Sequence, residues 1–175
     1  MRIRPAEERD FAALHDIEHA AAEQFRSVGI AAIADLGPFS DDELTDFVTA
    51  GLAWVAADSN DVPVGYLVAE IVDGCLYISE VGVHPRGARQ GLGRQLIDHA
   101  ANAGEYPALI LTTFRDVPWN APYYQRLGFE ILTDDRMTPG LRAIRDFQVS
   151  IGLGRWPRVC MRRNLVPAGD PQSTA

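Results

Sequence analysis

Residues 75–101, CLYISEVGVHPRGARQGLGRQLIDHAA, constrain the fold of this chain more than any other stretch. Leu76, Tyr77, Ile78, Val81 and Val83 are strand formers, and Pro85 closes the run because it cannot donate to a ladder. Beyond Gly91 and Gly93, the residues Leu92, Leu96, Ile97, Ala100 and Ala101 recur at helical spacing and form one apolar stripe. The pattern predicts a strand, a glycine-bearing turn and an amphipathic helix. Two glycines among Arg89, Gln90, Gly91, Leu92, Gly93 and Arg94 let a ligand approach the backbone closely. The first amides of a helix lack internal partners and sit at the positive end of its dipole. Such a turn suits a phosphate or pyrophosphate, with Arg89 and Arg94 adding full charges. A tight strand-to-helix turn with solvated arginines has the same spacing. Walker-type GxxxxGK[ST] is excluded, since the chain has no lysine, and so is GxGxxG, since Gln95 and Leu96 follow Gly93.

The rest of the chain alternates between the two periods. A short strand is expected at 2–5, a helix at 7–28, and a second helix at 41–50 with Ser40 as its cap. Strands at 52–57 and 63–72 are joined by a turn at 59–61, and the apolar run 108–114 should pair in parallel with the strand before it. A short helix at 118–127 ends at Gly128, a strand follows at 129–132, Thr138-Pro139 opens a helix to about 151, and 157–165 is the last strand. Residues 1–166 are expected to form one domain, and 167–175 a flexible polar tail.

The formal net charge of −8 argues against nucleic acid as a partner and favours a cationic small molecule. No apolar run approaches a membrane span and the N-terminus does not read as a signal peptide, so a cytoplasmic protein is expected. Cys75 and Cys160 both lie in strand-like runs and read as buried free thiols. Of His15, His19, His84 and His99, only His15 and His19 stand at a metal-binding spacing, i and i+4, and with no HExxH present no metal is expected. Trp54, Trp119 and Trp156 are read as anchors of core or cleft walls.

Two motifs in order, VHP followed by ARQGLG at 83–93 and YQRLGF at 124–129, resemble the GNAT superfamily of acetyl-CoA-dependent N-acetyltransferases. The family pattern is a strand ending in VxP, then [QR]xxGx[GA] entering a helix, with YxxxGF downstream. Ala88 stands where Gln or Arg is usual. The resemblance implies an α/β fold with a mixed, centrally splayed sheet and helices on both faces. The helix at 139–151 is extra, and it would border the acceptor site or a homodimer contact. The resemblance also implies that acetyl-CoA is the co-substrate. Its pyrophosphate would rest on 89–94, and its pantetheine arm on the backbone of Val81, Gly82 and Val83, where Gly82 marks a bulge.

Transfer to an amine requires removal of a proton, because an alkylamine has a pKa of about 10. Glu80, an acid inside SEVGV, is the candidate base; an ion-paired sheet residue fits the same position. By the resemblance Tyr124 protonates the departing thiolate, whereas an aromatic core residue is the plainer reading. Asn120 either binds the cofactor or caps the following helix. Glu18 and His19 either face the acceptor or belong to a solvated helix face. Acids at Glu18, Glu23, Asp41, Asp42 and Glu43 favour a small cationic amine as acceptor. The function expected is direct acetyl transfer in a ternary complex. A non-catalytic CoA-binding sensor and a protein N-terminal or lysine acetyltransferase are the alternatives.

Overall fold

The computed structural model describes residues 1–165. Seven strands are hydrogen-bonded in the order β1-β2-β3-β4-β5-β7-β6. They are β1 Arg2–Pro5, β2 Ala53–Ala57, β3 Pro63–Val72, β4 Cys75–Val83, β5 Ala108–Phe114, β6 Glu130–Ile131 and β7 Arg158–Asn164. The helices are α1 Phe11–Ala22, α2 Ala31–Ala34, α3 Asp41–Thr49, α4 Leu92–Ala101, α5 Ala121–Arg126 and α6 Pro139–Ser150. The expected tail at 167–175 lies outside the described residues.

Two compact units divide the chain, the first Met1–Glu70 with Ile78–Asn102, the second Ile71–Tyr77 with the residues from Ala103 onward. In the first unit β1, β2 and β3 are antiparallel neighbours. Phe11, Leu14 and Ile17 of α1 and Leu44 of α3 bury against Val55, Tyr66 and Val68 on one face. On the other face α4 is so close that a Cβ on Gly65 would sit 3.4 Å from Leu96 Cδ1. The helix expected at 7–28 is one α-helix flanked by 3₁₀ turns at Glu8–Asp10 and Glu23–Val28, and Gly29, in the left-handed region, ends it. Ser40 caps α3 as expected: its hydroxyl accepts the Glu43 N–H while the Glu43 carboxylate accepts the Ser40 N–H. Arg4, 9 % exposed, pairs with Asp10 at 2.7 Å and with Asp61 at 2.9 Å, fastening the β2–β3 turn to the start of the chain.

In the second unit, β4 pairs in parallel with β5 at Leu76↔Leu109 and Tyr77↔Ile110, and β7 runs antiparallel between β5 and β6. The open sheet is therefore mixed. The extra helix is present as α6, whose Leu141 buries with Cys75, Tyr77, Ile110, Leu132 and Cys160. Both cysteines are buried free thiols. The helix expected at 118–127 begins only at Ala121, after a turn closed by Asn120 N–H on Val117 O. Trp119 is 36 % exposed, whereas Trp54 is buried and Trp156 meets Phe114 edge-on. No helix among the described residues is long and apolar enough to cross a membrane.

Candidate functional site

Strand β4 ends at Val83, and His84 turns the chain by accepting the Arg86 N–H on Nδ1. Ala88, Arg89, Gln90 and Gly91 are exposed. Arg89 and Gly91 both adopt left-handed backbone, at φ 63 and 71. That conformation is ordinary for glycine and costs a β-carbon-bearing residue on the order of 1 kcal/mol, which makes Arg89 a strained position in an exposed turn. Gly91 is the N-cap of α4 and offers no side chain to its amides. Its carbonyl accepts Gln95 N–H, so the amides of Leu92, Gly93 and Arg94 are the open first-turn donors. The Gln95 side chain donates to Gln90 O at 3.1 Å. In a trans peptide C=O and N–H point oppositely, so this bond turns the Gly91 N–H away from Gln95. The sequence offered no sign of that role for Gln95.

Glu80 and Gly82 lie on the same side of β4, two residues apart. A Cβ on Gly82 would stand 2.8 Å from Tyr66 Cε1 and 3.3 Å from Ile17 Cγ2. Close approach of the Tyr66 ring is therefore what requires glycine here. Tyr66 is fully buried, and its phenol is pushed well above its ordinary pKa, first by burial and then by the charges of Glu80 and Glu18. The hydroxyl lies beside the Glu18 carboxylate but meets no partner at full hydrogen-bond geometry. Glu18 is half-buried, not a solvated helix position, and its Oε2 accepts the Phe39 N–H at 3.2 Å. Burial raises its carboxyl above the usual range, against the opposing pull of the Phe39 amide, Tyr66 and His15. His19, its neighbour, is exposed as the solvated reading expects. Thus Glu18, Tyr66 and Glu80, from α1, β3 and β4, share one electrostatic environment. A separate open cleft of about 500 Å³ between the starts of α1 and α3, lined in part by Phe11, His15, Asp41 and Thr45, contains none of the expected catalytic or CoA-binding residues, though Asp41 is among the acids expected to favour a cationic acceptor.

In the second unit the YQRLGF motif forms a helix terminus. Gly128, at φ 86, donates its N–H to Gln125 O, and Phe129 N–H reaches back to Tyr124 O at 3.1 Å. These are the two bonds of a Schellman ending, and the apolar contact that accompanies it is Tyr124 on Phe129, ring centroids 5.6 Å apart. The motif's tyrosine, glycine and phenylalanine are thus one structural device that fixes the Tyr124 ring. Tyr123 stacks edge-on against Tyr124 and carries Arg126 over its face. Asn120 occupies the cap position of α5, yet its side chain makes no capping bond. Instead Nδ2 donates to the buried Thr113 Oγ1 at 2.8 Å and ties α5 to β5, so the capping reading is set aside.

An open mixed sheet whose β4 passes through a left-handed glycine turn into a helix, followed by a βαβ segment, is the architecture of the GNAT fold. Residues 49–131 of this chain match the family model described as acetyltransferase (GNAT) domain. Its fold is shared with N-acetylglutamate synthase from Neisseria gonorrhoeae, solved with coenzyme A and N-acetyl-glutamate, at 18 % identity and TM-score 0.67. That match covers 94 % of this chain, which spans only 35 % of the synthase. A ribosomal-protein-alanine N-acetyltransferase from Escherichia coli aligns over 99 % of both chains at 19 % identity and TM-score 0.61. An N-acetyltransferase from Thermoplasma acidophilum in complex with coenzyme A aligns over 94 % of this chain and 98 % of its own, at 13 % identity and TM-score 0.64.

Proposed function

We propose that this protein transfers an acetyl group from acetyl-CoA to a primary amine, directly and without a covalent enzyme intermediate, and that the acceptor is a small cationic amine. The observation that carries the reading is the β4–α4 turn, where two left-handed residues and an uncapped helix start present backbone donors beside Arg89 and Arg94. That arrangement fits the pyrophosphate of CoA, and structures of the same fold hold CoA. Val81, Gly82 and Val83 offer backbone for the pantetheine arm, and one of their amides polarises the thioester carbonyl. Glu80 takes the proton that the attacking amine must lose. Tyr124, its ring fixed by the Schellman ending, returns a proton to the thiolate of CoA, a transfer from a phenol of pKa about 10 to a thiolate of about 8.5 that requires a positioned hydrogen bond. Asn120 supports this segment through Thr113.

Thiol release from acetyl-CoA over a panel of amines, with calorimetric titration of CoA, tests the proposal. Turnover with small cationic amines is expected. Tight CoA binding without turnover on any small or peptide amine would replace this reading by that of a sensor.

A further inference from the structure

We propose that Glu18 is the second carboxylate of the acceptor site and selects amines that carry an additional positive charge. This rests on the acetyltransfer reading above, in which Glu80 serves the reacting amine. Helix α1 is packed onto the strand that bears Glu80, as the approach of Ile17 to Gly82 shows. Glu18 follows Ile17 directly, and Tyr66 from β3, whose ring approaches Gly82, couples to both acids: its hydroxyl lies beside Glu18 and senses the charge of Glu80 as well.

Two facts mark this cluster as incomplete. A fully buried phenol oxygen there has no partner at full hydrogen-bond geometry, a state that folded proteins rarely tolerate. Among the described residues no arginine forms an ion pair with Glu18 as Arg4 does with Asp10. A carboxylate held half out of water strengthens any cation bound to it. Glu18 Oε2 accepts the Phe39 N–H, and the carboxylate lies beside the Tyr66 hydroxyl. An ammonium group brings three donors and a positive charge, the complement of two carboxylates that flank a phenol. A mono-charged amine would leave one acid uncompensated once its reacting nitrogen has given up its proton to Glu80. A diamine keeps a second ammonium for Glu18.

The test compares kcat/KM for butane diamine and for butylamine in the full chain with saturating acetyl-CoA. Wild type should prefer the diamine. Glu18→Gln keeps the acceptor oxygen for Phe39 and should lower the diamine-to-monoamine ratio about tenfold. Glu18→Asp, which keeps the charge, should retain more of the preference than Glu18→Gln, with thermal melting reporting the fold of both. A wild-type ratio in Glu18→Gln, or an equal fall for both acceptors, would overturn the proposal while leaving acetyltransfer standing. Absence of turnover by wild type on any amine would remove the acetyltransfer reading and this inference with it.

Discussion

Gly91→Asp and Gly91→Asn together isolate the charge logic of the β4–α4 turn. A Cβ at this position meets only Gln95 Nε2, at 3.8 Å, so crowding is absent and the cost comes from φ 71 alone. A side chain in the left-handed well costs about 1–2 kcal/mol, less for Asn and Asp, and the two variants share both that strain and a common shape. Only a negative charge separates them. Two unit charges about 4 Å apart interact by about 4 kcal/mol at an effective dielectric near 20, and solvent at an exposed turn removes much of that. A residual of about 1.5–3 kcal/mol corresponds to CoA binding roughly 10–100-fold weaker in Gly91→Asp than in Gly91→Asn. Calorimetric titration at low and high salt measures the gap, which should narrow as salt screens the repulsion. Equal CoA affinities in the two folded variants would refute the assignment of the pyrophosphate to this turn.

Glu80→Gln should slow transfer mainly at low pH, where most amine is protonated, and recover partly as pH rises, whereas Tyr124→Phe should slow the chemical step by roughly 10²–10⁴-fold at every pH below that of phenol ionisation. Wild-type pH profiles in both variants would dismiss the roles given to them. Gly82→Ala drives a methyl to 2.8 Å from the immobile Tyr66 ring and should cost about 1–3 kcal/mol by denaturant unfolding; an unchanged midpoint would show that Tyr66 can yield. Burial alone would raise the Asp10 carboxyl, but the Arg4 hydrogen bond, the Glu7 amide and the nearby arginine charges hold it below the ordinary value of 3.8. A carboxyl depressed in the folded state stabilises above the unfolded value and loses that contribution as pH falls through the folded one. Asp10→Asn should therefore be less stable than wild type at neutral pH and approach it as pH falls below the ordinary carboxylate value of 3.8, as read from unfolding across pH.

Much of the fold and part of the candidate site were legible because they depend on local chemistry. The period change from strand to helix around Pro85, the Ser40 cap and the Gly128 ending are written in neighbouring residues, and the structure places each element within a few residues of expectation. The limits of that reading are also physical. The segment 118–120 has helix-compatible composition, but Asn120 spends its side chain on Thr113 and the helix starts one residue later. On α1, Glu18 occupies a polar helix position, and its environment is set by a loop 21 residues away that brings the Phe39 amide to it and by a strand that brings Tyr66.

The sequence by itself determined the strand–turn–helix and the C-terminal tyrosine motif, because backbone conformation at Gly91 and Gly128 answers to residues within a few positions. Only the tertiary structure decided that Gly82 is glycine for the sake of the Tyr66 ring and that Glu18 joins Tyr66 and Glu80. Burial and charge coupling depend on which segments meet in space, and periodicity along one element carries no information about what a distant element brings to it.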